Sequence, residues 1–125
     1  MRMLLDTHTF LWWVGDSPRL PKRFRAAIAE PANDVFVSAV TVWEIAIKRR
    51  TGKISFSGGI VDEIRSQGFE PLAIVVAHAE AVERMPVLHR DPFDRMLVAQ
   101  AMAEGMILLT VDAEIIKYAP NLLPT

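Results

Sequence analysis

Residues 91–112 read DPFDRMLVAQAMAEGMILLTVD and contain the two elements on which the fold prediction depends. Asp91 is a good helix N-cap, Pro92 suits the first helical position, and Gly105 is a typical helix terminator. The apolar run at residues 106–110 then predicts a buried strand that begins where the helix ends. A helix that leads directly into an apolar strand is typical of a βαβ unit, so this stretch indicates a parallel sheet.

The same alternation of apolar runs and helical segments continues toward both ends of the chain. Strands are predicted at residues 3–5, 35–38, 71–75 and 106–110, with a marginal fifth at 121–123. Helices are predicted at 8–14, after Pro21, and at 42–50, 56–67, 77–85, 91–104 and 112–118. The predicted fold class is α/β: a three-layer α/β/α domain with a parallel sheet of four to five strands, formed by residues 1–125.

The composition excludes several classes of protein. Of 125 residues, 51% are hydrophobic and 23% charged, which is enough apolar content for a core and excludes disorder. With no cysteine, the chain has no disulfide scaffold, thiol nucleophile, iron–sulfur cluster or cysteine-rich zinc site. The apolar runs are shorter than the ~20 residues that span a bilayer, and the first residues lack a signal-peptide core. A cytoplasmic location without a membrane partner is therefore expected.

Four acidic residues lie where predicted strands meet predicted helices: Asp6, Glu44, Asp94 and Asp112. Each acid also has a structural interpretation. Asp6 and Asp112 suit capping positions, and Thr41 to Glu44 fits a capping box. The stretch from Asp91 to Asp94 resembles a capping box too, and Asp94 would gain from the helix dipole. Because ligands bind outside the carboxyl ends of parallel strands, the four carboxylates are expected to share one crevice.

Four carboxylates in one partly desolvated crevice repel one another unless a cation compensates them, and no lysine or arginine is obviously spaced to pair with them. All-oxygen sites suit Mg²⁺ or Mn²⁺, and a pair of such ions activates water and stabilises the leaving oxygen of a phosphodiester. The net charge of −1 gives no direct case for a nucleic-acid partner. The basic residues are interpreted either as a rim for a polyanion or as solvated helix surface; they are Arg19, Lys22, Arg23, Arg25, Lys48, Arg49, Arg50, Lys53, Arg90 and Arg95.

Four segments resemble the PIN-domain family, and in particular its VapC-like toxin branch. They are LLDTH at residues 4–8, VTVWEI at 40–45, HRDPFDR at 89–95 and LLTVD at 108–112. The resemblance runs from residue 3 to about residue 118, and order, spacing and residue type agree across all four segments.

The resemblance implies an endoribonuclease that depends on Mg²⁺ or Mn²⁺ and acts as the toxin of a type II toxin–antitoxin pair. It implies that the catalytic and metal-binding residues are Asp6, Glu44, Asp94 and Asp112, with Thr110 supporting the site through its hydroxyl. It further implies an RNA substrate, a homodimer, and a cognate antitoxin protein whose C-terminal segment occupies the active-site groove.

The third acidic position has two candidates. Asp91 precedes Pro92 and is interpreted as the helix cap, whereas Asp94 lies one turn further along. A helical side chain leans toward the helix N-terminus, which directs Asp94 toward the crevice, so Asp94 is assigned to the site. Asp6 and Asp94 are then expected to bind metal directly, and Glu44 and Asp112 to act through metal-held waters or on a second ion.

Three further residues are candidate RNA contacts: Arg95, His89 and Thr7. Arg95 adjoins Asp94 and also suits an ion pair with a neighbouring acid. Two competing enzymatic interpretations are weaker. A two-histidine mechanism would have to use the scattered His8, His78 and His89, and a phosphatase would need a second acid near Asp6 and a better placed lysine than Lys117. A catalytically inactive binding module would have no reason to keep four mutually repelling acids.

Two groups of aromatic and apolar residues have open interpretations. Phe10, Trp12 and Trp13 lie in one short helix and either fill the core or leave a partner surface exposed. In the predicted helix 42–50, Trp43 and Ile47 fall on one face.

Overall fold

The computed structural model describes residues 1–85 and 91–118 and has a parallel sheet at its centre. The strands are β1 (Arg2–Leu5), β2 (Asp34–Ser38), β3 (Glu70–Leu72) and β4 (Ile107–Leu109), arranged in the order β3-β2-β1-β4. Leu5 of β1 lies opposite Val37 on one side and Leu109 on the other. Because β1 is central and covered on both faces, its apolar run is buried without interruption.

Helices cover both faces of the sheet in the described residues. They are α1 (Thr7–Val14), α2 (Lys22–Ala29), α3 (Ala39–Arg50), α4 (Ile60–Ser66), α5 (Val76–Ala81), α6 (Pro92–Glu104) and α7 (Ala113–Tyr118), with a 3₁₀ turn at Val82–Arg84. Side chains alternate along β1, so Met3 and Leu5 pack with Phe10 in one apolar cluster, while Leu4 packs with Leu97 in a second. The predicted three-layer α/β/α class with a parallel sheet is confirmed, with four strands in the described part.

Helix α6 follows its sequence signals closely. The Asp91 carboxylate accepts hydrogen bonds from the backbone N–H groups of Phe93 and Asp94, and Pro92 occupies the first turn. At the other end, Gly105 adopts a left-handed conformation (φ 65°), and its N–H returns to carbonyls of the last turn. Only residues 105 and 106 therefore separate the end of α6 from the start of β4.

Three predicted boundaries were wrong. Helix α3 begins at Ala39 because the Ser38 hydroxyl accepts the Val40 N–H at 3.0 Å, so no capping box forms at Thr41 to Glu44. Helix α4 begins at Ile60, not residue 56, because Gly58 has a positive φ of 76° that breaks helical geometry. Strand β3 ends at Leu72, and the apolar residues that follow it are exposed. The marginal strand at 121–123 lies outside the described residues.

Helix α1 places its aromatic side chains at different depths. Phe10 is fully buried, whereas Trp12 and Trp13 are half-buried against the same cluster. The Trp13 indole N–H donates to Gln67 Oε1 at 2.9 Å, and its ring lies 6.1 Å from that of Phe69. Phe10 therefore belongs to the core, and Trp13 joins α1 to the end of α4.

Helix α3 presents its apolar residues Trp43 and Ile47 to solvent, with 56% and 42% of their surface exposed. Its buried face carries Thr41 and Glu44 beside Ile45. The two apolar residues share one face as predicted, but that face is the outer one. None of the described helices is both long and apolar enough to span a membrane.

Candidate active site

The order of strands directs attention to the carboxyl ends of β1 and β4. From β1 the chain proceeds to β2 and β3 on one side, and β4 lies on the other side of β1. The strand order therefore reverses between β1 and β4, which is where open parallel sheets bind ligands. The backbone N–H of Asp6 donates to the Leu109 carbonyl at 3.1 Å, so Asp6 and Thr110 leave the sheet side by side at this point.

Asp6 is a buried carboxylate held by neutral donors. Only 4% of its surface is exposed, and its Oδ1 accepts the Thr9 backbone N–H at 2.8 Å. Burial raises the pKa of the Asp6 carboxyl, while hydrogen bonds from Thr110 and Thr9 and the nearby His8 oppose that rise. Among the described residues, no lysine or arginine forms an ion pair with Asp6. Asp6 caps α1, as its structural interpretation required.

Thr110 connects Asp6 to Asp112. The Thr110 hydroxyl is buried and accepts the Asp112 backbone N–H at 3.0 Å, which directs its own proton toward the Asp6 carboxylate. Asp112 in turn accepts the Glu114 N–H at 2.9 Å at the start of α7. We call Asp6, Thr110 and Asp112 the strand side of the site.

Glu44 lies in a second environment, where α3 meets the start of α6. It is buried, and its carboxylate accepts the Thr7 hydroxyl at 2.6 Å and the Lys48 ammonium at 2.5 Å. The pKa of Lys48 is raised, first by this hydrogen bond and further by the charges of Glu44, Asp91 and Asp94, against an opposing effect of burial. Carboxylates from α3 and from the start of α6 therefore all stabilise the charged form of the Lys48 ammonium. We call Glu44, Lys48 and Asp94 the helix side of the site.

A family model described as PIN domain matches residues 3–120. The chain belongs to the PIN-domain family. It is 29% identical over 117 residues to Ribonuclease VapC22 of Mycobacterium tuberculosis, covering 88% of this chain and 86% of that protein. This relative agrees with the resemblance to the VapC-like branch.

Two solved structures share the fold of this PIN domain. VapBC2 from Rickettsia felis, bound to a DNA fragment from their promoter, superposes with a TM-score of 0.67 at 14% identity. VapBC-1 from nontypeable Haemophilus influenzae superposes with a TM-score of 0.61 at 17% identity. In both cases the match covers 98% of this chain and 96% of the other.

The PIN domain brings the four predicted acids to one edge of the sheet, but it does not gather them as closely as expected. Among residues 1–85 and 91–118, no three acidic or histidine side chains form a cluster ready to hold a metal ion. Asp6, Glu44 and Asp112 each accept a hydrogen bond from a donor of their own within the fold. The expectation that no lysine pairs with an acid was also wrong, since Lys48 binds Glu44 one helical turn away.

The donor set of this PIN domain nevertheless fits a hard divalent cation. Its candidate ligands are carboxylate oxygens, which Mg²⁺ and Mn²⁺ prefer. Among the described residues, only neutral groups donate hydrogen bonds to the buried Asp6 carboxylate, so an added positive charge gains most there. Asp91 is confirmed as the cap of α6, and the assignment of Asp94 to the metal stays a prediction.

The remaining sequence candidates occupy different positions. Thr7 is buried, and its hydroxyl donates to the Glu44 carboxylate. Its contact with RNA stays a prediction. Arg95 donates to the Val82 carbonyl at 3.4 Å, which directs its guanidinium toward the 3₁₀ turn. His89 and Arg90 lie outside the described residues.

The described histidines give no support to a two-histidine mechanism. His78 is buried behind α6, where Nδ1 accepts the Val75 N–H at 3.1 Å and Nε2 faces Glu104 Oε1 at 3.0 Å. His8 is exposed, with its ring 5.9 Å from that of Trp12. The two imidazole rings therefore lie in different environments, one buried behind α6 and one exposed on α1.

Proposed function

We propose that this PIN domain is a metal-dependent endoribonuclease and the toxin of a type II toxin–antitoxin pair. The observation that carries the proposal is the buried Asp6 carboxylate, joined through Thr110 to Asp112 at the point where strand order reverses. Glu44 and Asp94 supply further acids on the helix side. The similarity to a ribonuclease supports RNA as the substrate.

The acids have distinct roles in this proposal. Asp6 and Asp94 hold Mg²⁺ or Mn²⁺ directly, and Glu44 and Asp112 hold its waters or a second ion. When bound, the metal activates water and neutralises charge on the phosphodiester. Thr110 fixes the Asp6 carboxylate, and Thr7 with Lys48 fixes Glu44, so that neither acid has to reorganise when the cation arrives. Hydrolysis forms a bond from water oxygen to phosphorus and breaks the bond to the leaving ribose oxygen.

The nuclease test compares two neighbouring acids on α6. Purified protein is incubated with a pool of structured RNA in Mn²⁺, Mg²⁺ or EDTA, beside the variants Asp94→Asn and Asp91→Asn. Asp94→Asn is expected to lower the cleavage rate at least about 100-fold, because even outer partners of metal ligands contribute 10- to 100-fold. Asp91→Asn keeps a capping oxygen and should cleave within a few-fold of wild type.

Two results would contradict the proposal. Cleavage that persists in EDTA would exclude a metal-dependent reaction. A folded wild type that leaves every RNA in the pool intact and also binds no Mn²⁺ would favour an inactive binding module, because such a module has no need of the ion.

The partners form a second part of the proposal. Both structural neighbours are VapBC complexes, which supports a cognate antitoxin as the protein partner, and a homodimer is the proposed assembly. Co-purification with the product of the adjacent gene tests the first, and light scattering of the purified chain tests the second. An antitoxin is expected to abolish cleavage at equimolar concentration.

A further inference from the structure

Both carboxylate oxygens of Glu44 accept hydrogen bonds from side chains of the same protein. The Lys48 ammonium lies 2.5 Å from Oε2, and the Thr7 hydroxyl donates to Oε1 at 2.6 Å. The carboxylate itself is buried. A metal ion that used Glu44 as a direct ligand would therefore have to displace one of these donors or compete with it, and displacing Lys48 would break an ion pair.

The Lys48 ammonium is held from more than one direction. Its spacing of four residues from Glu44 places the two side chains on one face of α3. It also lies 5.8 Å from the centroid of the Phe93 ring, whose π face attracts a cation. The charges of Asp91 and Asp94, at the start of α6, act on the same ammonium. Lys48 is therefore a built-in positive charge of the helix side.

This lysine affects how many metal ions the site accepts. If all four proposed acids are ionised, one divalent ion and the ammonium together compensate three of their four negative charges. A second divalent ion would compete with Lys48 for Glu44, and the two cations would repel each other at this range. On the strand side, by contrast, the described donors to Asp6 are neutral. A single ion is therefore expected beside Asp6.

The Lys48 side chain also reaches solvent. Its exposed fraction is 30%, against 5% for the Glu44 side chain. A lysine of this kind presents its charge to an anion that approaches from water. In two-metal hydrolysis of a phosphodiester, a pair of cations stabilises the attacking and leaving oxygens. An ammonium at the helix side supplies one of these positive charges without a second metal ion.

We propose that Lys48 takes the place of a second metal ion. The site then binds one divalent cation beside Asp6 and uses the Lys48 ammonium as its other positive charge toward the scissile phosphate. Glu44 positions this ammonium and binds no second ion. The inference rests on the proposed metal-dependent ribonuclease and specifies the number of ions that it uses.

The test counts bound ions without RNA. Mn²⁺ is titrated into metal-stripped protein, and electron paramagnetic resonance measures the Mn²⁺ that stays free. Wild type and Lys48→Arg, which keeps the charge, should each bind one ion per chain. Lys48→Met frees an oxygen of Glu44 and removes the repulsion, so it should bind two. Lys117→Met is the matched control and should bind one, since Lys117 is an exposed lysine in the last turn of α7.

Two further variants keep the count decisive if Lys48→Met is unstable. Lys48→Gln retains a neutral amide donor but removes the charge, so it should also bind two ions. The double variant Lys48→Met, Glu44→Gln should return to one ion, because the second ion loses its carboxylate. A purely structural role of Lys48 would lower the melting temperature without changing the number of bound ions.

The dependence of RNA cleavage on Mn²⁺ gives a second readout. At concentrations that fill one site, Lys48→Met should cleave about 10- to 100-fold more slowly than wild type. At higher concentrations a second ion should replace the missing ammonium and restore much of the rate. Below saturation, the rate of Lys48→Met should therefore rise with the square of the Mn²⁺ concentration. The rates of wild type and Lys117→Met should rise in simple proportion to it.

The outcomes separate this inference from the function on which it rests. If wild type binds two Mn²⁺ ions and cleaves RNA, the inference fails and the nuclease proposal stands. The same holds if Lys48→Met and Lys48→Gln still bind one ion. If wild type binds no Mn²⁺, or cleaves no RNA with Mn²⁺ bound, the metal-dependent nuclease fails and the inference fails with it.

Discussion

The strand side and the helix side each bury a carboxylate, but they compensate its charge in opposite ways. On the strand side, Asp6 is surrounded by a backbone N–H and hydroxyl groups, and burial raises its pKa. On the helix side, Glu44 is bonded to a full positive charge on Lys48. The Glu44 carboxylate is thus bonded to a cation of the same chain, whereas the Asp6 carboxylate is bonded only to neutral hydrogen-bond donors among the described residues.

This difference in charge compensation indicates that the strand side binds a cation and that the helix side stabilises the fold. A carboxylate held by dipoles is costly to keep ionised, and this cost is recovered when a cation from solution binds. A carboxylate paired with lysine gains less from a further cation and contributes more to the stability of the fold itself. We therefore expect cation binding to depend mainly on Asp6 and folding without metal to depend more on Glu44 and Lys48.

The largest expected effect is on the strand side. Asp6→Asn keeps an oxygen that caps Thr9 but removes the charge, so it should abolish the stabilisation of the protein by Mn²⁺. For wild type, that stabilisation is about 2.7 kcal/mol when Mn²⁺ exceeds its Kd 100-fold. Differential scanning fluorimetry with and without Mn²⁺ measures this stabilisation in wild type and its loss in Asp6→Asn. If Mn²⁺ stabilises Asp6→Asn as much as wild type, cation binding does not depend on the strand side.

The next effect is on the helix side. Lys48→Met leaves the buried Glu44 carboxylate without its cation and should lower the free energy of unfolding by about 1–2 kcal/mol, less than for a fully buried pair because 30% of the Lys48 side chain is exposed. Urea unfolding in EDTA measures the loss. The double variant Lys48→Met, Glu44→Gln should recover most of it, and Lys48→Arg serves as the control that keeps the charge. If the single variant is as stable as wild type, Glu44 does not depend on the ammonium.

A smaller contrast comes from the two threonines. Thr110→Val and Thr7→Val remove hydroxyls of similar burial, and each should cost about 1 kcal/mol of folding stability. Thr110→Val should also weaken Mn²⁺ binding about 10-fold, because its hydroxyl orients Asp6, whereas Thr7→Val should affect Mn²⁺ binding less. Calorimetric titration measures the Mn²⁺ affinity of both variants. A larger loss of affinity in Thr7→Val than in Thr110→Val would place the cation on the helix side.

The smallest effect is a dependence of stability on pH without metal. Because burial raises the pKa of Asp6 in the fold above its ordinary value of 3.8, its neutral form favours folding. That contribution is present below the ordinary value and is lost as pH rises through the raised pKa. In EDTA, Asp6→Asn should therefore gain stability relative to wild type as pH rises above the ordinary Asp6 value of 3.8 and through the raised pKa. A constant difference over this range would mean that the Asp6 pKa is not raised.

Local signals explain why the sequence predicted α6 and β4 well. The cap at Asp91, the proline after it and the glycine at residue 105 act within one helical turn, so their effect does not depend on the rest of the fold. The same holds for the position of Asp6 and Thr110, because a parallel strand ends where its apolar run ends.

The helix side was harder to predict because α3 departs from the usual pattern of an amphipathic helix. Its inner face carries Thr41 and Glu44, which point into the site, so the apolar Trp43 is displaced to the outside. A hydropathy pattern alone predicts that the apolar face of a helix is buried and its polar face exposed, which is the opposite of what α3 shows. Lys48 was grouped with the basic surface residues, although the spacing of four from Glu44 was a usable signal.

The pairing of β1 with β4 also has a consequence for protein synthesis. Leu5 and Leu109 are neighbours in the sheet, yet roughly a hundred residues separate their translation. At about 5–20 residues per second, Asp6 emerges several seconds before the strand that completes its surroundings has been made. During that interval the nascent chain has no strand side, and a product truncated before β4 never acquires one. We therefore expect the nascent chain to have no nuclease activity before β4 has been made.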